Sequence, residues 1–341
     1  MSDFANLKIA VAGAGLMGRW HVHCAQRLGA QVVAVLDTDH ARGARLAQQS
    51  AGRVSVVDDL NGLLDRQVDV LHVCTPLGSH YPIVAEALRA GLHVIVEKPL
   101  AETAQQTEAL LALAQQHQRL LCPVHQFGFQ AGVERAIAAL PRIGELLHLR
   151  FTTGSAGAEG AMRPDEVIAD IIPHPLSVLQ KLQPQFTFDE QGWHGLHAAE
   201  GELQLIARAG KLTLDFYISM NSRPTRCEME LFGSSGRIKI NFFHGYSLIE
   251  TGRPTRAQKL IQPFRASASE FIHAGINLLQ RCLHRESAYP GLRNLVRACY
   301  LSINGQAEPP VSPEEMLDIA RIRDRVIQDY LPDAVPPGAG Q

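Results

Sequence analysis

Long apolar runs, blocks of a single charge and closely spaced cysteines are all missing from this 341-residue chain. No stretch approaches the ~20 consecutive apolar residues that a membrane-spanning helix needs, which argues against a membrane role. Lys and Arg number 32 against 34 Asp and Glu, for a formal charge of -2. Without a basic or acidic block to serve as a tail, nucleic-acid binding is disfavoured. The six cysteines, at 24, 74, 122, 227, 282 and 299, include no Cys-x-x-Cys pair. Neither a disulfide framework nor a structural zinc site is suggested, and no metal is expected. The opening MSDFANLKIAVAGAG has no positively charged segment ahead of a long apolar core, so the expectation is a soluble, cytoplasmic protein.

A chain of this length exceeds one ordinary core and suits two domains, since single domains run roughly 100 to 200 residues. Up to residue 125, short Val- and Ile-rich runs alternate with Ala/Leu/Gln stretches of helical character. LKIAVAG (7 to 13), QVVAVLD (31 to 37), VSVV (54 to 57), VDVLHVCT (68 to 75), HVIVEK (93 to 98) and LLCPVHQF (120 to 127) are candidate strands. Residues 80 to 90 and 103 to 117 are candidate helices, the second opened by a Thr103/Gln106 capping box. This is the rhythm of a doubly wound parallel sheet, a Rossmann domain over 1–125. After about residue 145 the runs ELLHLRFTTG, GELQLIARAG, KLTLDFYIS, CEMELFGSSG and RIKINFFHG predict a large, mainly antiparallel open sheet. A helix near 175 to 183 precedes most of it, and helices near 268 to 284, 291 to 304 and 313 to 330 follow. The expected fold class is α/β: the Rossmann sheet, then a C-terminal α+β domain over 126–330, with 331–341 a loosely held tail.

KIAVAGAGLMG sets Gly13, Gly15 and Gly18 in the spacing G-x-G-x-x-G, with Leu16 and Met17 inside it, directly after a strand and before a helix. Glycines there permit a tight turn and let backbone N–H groups approach a pyrophosphate at the positive end of the helix. The second strand ends at Asp37, where a carboxylate accepts hydrogen bonds from both adenosine ribose hydroxyls. It would repel a 2′-phosphate, and Asp39 adds to the repulsion, so NAD is expected ahead of NADP. Arg42 and Arg45 lie close behind and soften that preference. The fourth strand ends in CTPLGSH, which sets Thr75 and Pro76 at a carboxyl edge where such sheets bind ligands. His80 follows, as a cofactor contact or merely as the start of the next helix.

VIVEKPL, residues 94 to 100, puts Glu97 and Lys98 at another strand end, ahead of Pro99. Together, AGAGLMGRWH, VAVLD, CTP, AGLHVIVEKPLAET and ADIIPH resemble the glucose-fructose oxidoreductase and inositol dehydrogenase (Gfo/Idh/MocA) family. The resemblance is specific in the first 125 residues and extends as a domain pattern over nearly the whole chain. It implies a second domain whose open sheet carries the substrate and forms the interface of a homo-oligomer, a dimer or tetramer. It also implies oxidation of a sugar or cyclitol carbinol, or reduction of the ketone, with a nicotinamide cofactor. The family's Glu-Lys-Pro motif falls on Glu97, Lys98 and Pro99, its Asp-x-x-x-His pattern on Asp170 and His174, and its histidine after the glycine loop on His21. Two departures stand out. Ile172 takes the place of a glycine before the histidine, and VHQFGF offers Gln126 and Gly128 where many members have an Asn and an Arg.

Carbinol oxidation needs a group that takes the hydroxyl proton at a pKa near the working pH. A free histidine starts at about 6.5 and a free lysine at about 10.4, so a lysine in that role must be lowered by burial or a neighbouring positive charge. The expected assignment is His174 as acid/base, Lys98 as donor to the substrate oxygen or relay for its proton, and Asp170 as orienting group or helix cap. Pro173 and Pro175 predict a helix starting at one of them, with Asp170 in the turn before it. Gln126 is expected against the cofactor or the sugar. HVHC at 21 to 24 is not read as a metal site, because side chains two apart on a helix diverge. WHGLHAAEG, with His194 and His197, is read as a loop at the substrate mouth. The expected function is an NAD(P)-dependent oxidoreductase acting on a small polyhydroxylated substrate; the alternative is a non-catalytic dinucleotide-binding sensor with the same fold.

Overall fold

The computed structural model describes residues 4–154, 162–184, 192–252, 256–283, 288–331 and 334. The chain divides into two compact units, one holding the residues to His125 together with Leu292–Arg321, the other Gln126–Gly291 and the residues from Ile322 onward.

The first unit runs β1 (Lys8–Ala12), α1 (Leu16–Leu28), β2 (Gln31–Leu36), α2 (His40–Gln49), β3 (Ser55–Val57), α3 (Asn61–Leu64), β4 (Val70–Val73), α4 (His80–Arg89), β5 (His93–Val96), α5 (Ala104–Gln116) and β6 (Leu121–Pro123). Its six strands lie in the order β3-β2-β1-β4-β5-β6 and pair in parallel throughout. Helices cover both faces of such a sheet, so strands such as KIAVA read as continuous apolar runs rather than alternations. The order reverses between β1 and β4, which places the ligand crevice of a doubly wound sheet at their carboxyl ends.

The second unit contains α6 (Ala131–Ile143), β7 (Leu146–Gly154), α7 (Pro164–Ile171), α8 (Pro173–Leu182), β8 (Trp193–Ala199), β9 (Glu202–Ala209), β10 (Leu212–Ser219), β11 (Arg226–Gly233), β12 (Gly236–Asn241), β13 (Tyr246–Thr251) and α9 (Arg256–Leu283). Its seven strands lie in the order β13-β12-β11-β7-β10-β9-β8, antiparallel except for β7 beside β10. Here side chains alternate. LTLDFYIS of β10 buries Phe216 and exposes Tyr217, and the register aligns Ile240, Met229, Phe151, Phe216 and Leu205 in one buried row across the sheet. Each such buried side chain contributes about 1.5–3 kcal/mol. Along the other face run ion pairs, Arg150 with Asp215 at 3.1 Å, Arg237 with Glu230 at 3.1 Å and Lys239 with Glu228 at 3.1 Å.

α10 (Leu292–Ile303) and α11 (Pro313–Tyr330) complete the chain. α10 buries Leu292, Leu295, Val296, Cys299 and Tyr300 and packs against α1 and β5, so the Rossmann unit includes residues beyond the expected single stretch 1–125, and 126–330 is not one continuous domain. The helical period of that stripe marks α10 as amphipathic, but nothing in its composition says which unit it covers. Of the expected loose tail, Leu331 is fully buried and Ala334 nearly so; its other residues lie outside those described. The sequence reading missed α6, α7, β8 and β13. β8 corrects the loop expected at His194 and His197, since both side chains belong to an edge strand.

Candidate active site

In the first unit the site is assembled from strand ends and helix starts. Gly13 follows β1 with φ 93°, a conformation that glycine adopts without strain, and a Cβ there would sit 2.5 Å from the Cys74 carbonyl oxygen. At Gly18 a Cβ would run into the Gly13 carbonyl. Packing of the loop therefore demands both glycines. Gly15 differs: its backbone is extended, and no described atom lies within 4 Å of an added Cβ. That open face lies at the start of α1, whose first turn has no acidic residue and whose unpaired N–H groups favour an anion. A pyrophosphate fits there. Leu16 is exposed and Met17 half-buried beside it.

Asp37, just past β2, is fixed before any ligand arrives. Its Oδ2 accepts from the Ala14 N–H at 2.6 Å and its Oδ1 from the Asp39 N–H at 2.8 Å. Arg42 forks onto the same carboxylate, Nε to Oδ2 at 3.1 Å and Nη2 to Oδ1 at 2.9 Å. Burial alone would raise the Asp37 pKa, but the Arg42 bond and the two amides outweigh it and hold the carboxyl below its usual value. The glycine loop and the acid at the end of β2 are thus one hydrogen-bonded unit through Ala14.

At the ends of β4 and β5, Thr75 Oγ1 lies 2.8 Å from Ser79 Oγ, and Pro76 leads into a short 3-10 helix, Leu77–Ser79. His80 opens α4, buried, with Nδ1 2.9 Å from the Pro99 carbonyl oxygen and Nε2 2.8 Å from that of Thr75. Both ring nitrogens lie within hydrogen-bond reach of backbone carbonyls, so His80 ties the β4 end to the turn after Lys98. It also starts the next helix, as one of its two expected roles had it. Glu97 and Lys98 follow β5, both half-buried, and Glu97 Oε1 lies 3.1 Å from Nε2 of the buried His21.

In the second unit, Gln126 opens a 3-10 helix, Gln126–Phe129, and its Oε1 is buried with no hydrogen-bond partner among the described residues. Such an oxygen is one that a ligand donor satisfies. Phe127 stacks on His174 (ring centroids 4.1 Å apart, planes at 12°) and on Phe242 (4.8 Å, 12°), which fixes the plane of the imidazole. His174 is half-buried and sits in the first turn of α8, and its carbonyl accepts from Ser177 Oγ at 2.8 Å. As expected, α8 starts at Pro173. Asp170, however, is in the last turn of α7 rather than in a preceding turn; Pro173 interrupts the hydrogen bonding only after Asp170 has already passed. Arg323 Nε donates to the Ala169 carbonyl at 3.1 Å and anchors that end of α7. His197 Nε2 lies 3.2 Å from Asp165 Oδ1. At Gly128 a Cβ would lie 3.1 Å from Lys181 Cγ, and Lys181 Nζ sits 4.5 Å over the Phe129 ring.

Sequence reasoning missed Phe127, His72 and Tyr300. His72 carried a signal, a polar ring in the wholly buried strand VLHV. Among the described residues, no group of three His, Cys, Asp or Glu side chains is placed to hold a metal ion.

Residues 7–125 match the model of an oxidoreductase family with an NAD-binding Rossmann fold, GFO_IDH_MocA. An inositol 2-dehydrogenase of Pseudomonas fluorescens is 32% identical over 249 residues, 71% of this chain and 70% of that protein. One of Pseudomonas savastanoi pv. phaseolicola is 26% identical over 333 residues, 90% and 97%. With an inositol 2-dehydrogenase of Corynebacterium glutamicum, 28% identical, the match covers 51% of this chain and only about half, 53%, of the relative. Among solved structures, the WlbA dehydrogenase of Bordetella pertussis, in complex with NADH and UDP-GlcNAcA, superposes with a TM-score of 0.74 at 16% identity, covering 98% of this chain and 97% of that one. The fold is shared at that distance, and the identity to the Pseudomonas fluorescens relative carries it further: the chain belongs to the Gfo/Idh/MocA family of oxidoreductases with an NAD-binding Rossmann fold.

Proposed function

We propose that this protein is an NAD-dependent dehydrogenase acting on a CH–OH group of a sugar, cyclitol or sugar derivative, or on the corresponding ketone. The observation that carries the reading is the open face at Gly15, joined through Ala14 to a fixed, ionised Asp37. Asp37 supports NAD over NADP, because its carboxylate oxygens suit ribose hydroxyls and repel a 2′-phosphate. Inositol as substrate is suggested by the names of the relatives, and a sugar nucleotide by that of the Bordetella structure.

A bound nicotinamide would exchange the hydride with the substrate carbon. Within the chain, His174 is assigned the hydroxyl proton, its ring held in plane by Phe127. Lys98 is assigned the substrate oxygen, Asp170 the orientation of a partner, and Thr75, Pro76, Glu97 and Gln126 the walls of the cofactor site. The protein is further read as a cytoplasmic homo-oligomer that joins through its second unit. Apolar side chains exposed there, Leu196, Ile206 and Tyr217 on the sheet and Phe264 and Phe271 on α9, support that reading. No described helix is long and apolar enough to cross a membrane. Fluorescence titration with NADH and NADPH, followed by turnover assays on inositols, sugars, their keto forms and sugar nucleotides, tests the proposal. Tight binding without turnover on any of them would favour a dinucleotide sensor.

A further inference from the structure

β4 is buried at every position, so His72 sets a polar ring where only hydrocarbon is otherwise supplied. It is fully buried, and a buried imidazole needs a partner at each nitrogen. His72 Nδ1 lies 2.8 Å from Nδ1 of His21 on α1, and His72 Nε2 lies 3.0 Å from the Tyr300 hydroxyl on α10. The other nitrogen of His21 meets Glu97 at 3.1 Å. These four side chains belong to the first unit, although Tyr300 is 228 positions from His72.

Counting protons fixes the direction of this chain. Two ring nitrogens 2.8 Å apart share one proton: with none, lone pairs face each other, and with two, N–H groups do. The Tyr300 hydroxyl has no other hydrogen-bond partner among the described residues, and its ring is held edge-on by Phe4 at 5.3 Å. Its proton therefore goes to His72 Nε2. That leaves His72 protonated at Nδ1, donating to His21 Nδ1, and His21 protonated at Nε2, donating to Glu97. Burial, and then the neighbouring His21, hold the His72 pKa well below its ordinary value, and burial pushes the Tyr300 phenol well up. Both shifts agree with a neutral ring and a phenol that keeps its proton.

We propose that His72 and Tyr300 are positioning residues that lock His21 in its Nε2–H tautomer and so hold Glu97 as an oriented carboxylate directly before Lys98. Without the phenol hydroxyl, His72 is free to carry its proton on Nε2. Its Nδ1 then accepts, His21 must donate from Nδ1, and a lone pair on His21 Nε2 faces the Glu97 carboxylate. One hydroxyl thereby controls a carboxylate three hydrogen bonds away. The catalytic consequence rests on the assignment of Lys98 to the substrate oxygen.

The test is the imidazole nitrogen NMR spectrum of ¹⁵N-histidine-labelled protein, with lines assigned by His72→Gln and His21→Gln. In the wild type, His72 is expected protonated only at Nδ1 and His21 only at Nε2. In Tyr300→Phe, which keeps the ring against Phe4, His72 is expected to show both tautomers and the His21 Nε2 line to move, while NADH binding persists. His72→Gln, with an amide able to donate and accept, is expected to retain the His21 tautomer, and His72→Leu to lose it. A wild-type His72 protonated at Nε2, or tautomers unmoved in Tyr300→Phe, overturns the lock. In turnover, Tyr300→Phe is expected to lower kcat on the order of tenfold; an unchanged kcat beside moved tautomers overturns the positioning of Glu97. Absence of turnover in the wild type, with the tautomers as expected, counts against the dehydrogenase reading alone.

Discussion

The three glycines of the nucleotide loop are glycine for different reasons, and substitutions should separate them. Gly13 and Gly18 are imposed by neighbouring backbone, whereas Gly15 has ordinary extended dihedrals and open space before it. Gly15→Val is predicted to leave the melting temperature at its wild-type value while weakening NADH binding at least about tenfold, or ~1.4 kcal/mol, as measured by fluorescence titration. A loss of stability with unchanged affinity would reverse the assignment. Asp37→Ser leaves Arg42 without its carboxylate partner, so the ratio of NAD to NADP Michaelis constants is predicted to shift toward NADP by an order of magnitude or more. A preference for NADP already present in the wild type would sink the argument from Asp37. These residues were legible in the sequence because their chemistry is local: a glycine spacing, an acid at a strand end, a lysine before a proline. The fork of Arg42 was half legible, as a nearby positive charge expected to soften the preference for NAD rather than as the partner of Asp37. The pairing of His72 with Tyr300 was not, since nothing in either segment names the other.

At the scale of elements, the strands and helices of the Rossmann unit were readable because buried parallel strands and amphipathic helices have different periods. What failed was the segment around Asp170, where two prolines were taken to end helical order on their amino side. Instead α7 is capped by Arg163 and Glu166, whose carboxylate accepts the Arg163 N–H at 2.9 Å, and the helix runs through Asp170. The cap of α5 came out half as expected: Thr103 Oγ1 accepts from the Gln106 N–H at 3.1 Å, but the Gln106 side chain reaches back to Glu102 N–H. Thr103→Ala is predicted to cost about 1 kcal/mol in chemical denaturation; no loss would mean that the cap is redundant. His93, at the start of β5, accepts the Leu120 N–H at 2.9 Å, and burial, helped by Arg119, lowers its pKa to about 4. The unfolded chain takes up that proton near pH ~6.5, so it binds more protons than the folded chain between the two values. Stability therefore falls as the pH drops through that window. His93→Asn should flatten this part of a stability-against-pH curve relative to wild type, and parallel curves would contradict the burial argument.

For the whole molecule, the return of α10 to the Rossmann unit means that truncation at residue 291 removes Tyr300 and the apolar stripe packed on α1 and β5. Phe264 (78%) and Phe271 (82%) on α9 are large apolar side chains left exposed, the kind of surface that an interface covers. Light scattering is predicted to give the mass of a dimer or tetramer, and Phe271→Glu to shift it toward the monomer; a wild-type monomer would remove the oligomer from the account. The central claim is chemical, and nicotinamide absorbance tests it most directly. Purified protein supplied with NAD and a panel of inositols, sugars and sugar nucleotides should reduce NAD with at least one of them, and His174→Ala should lower that rate by roughly 100-fold or more. A rate unchanged in His174→Ala, or no reduction with any polyol despite saturable NADH binding, would contradict it.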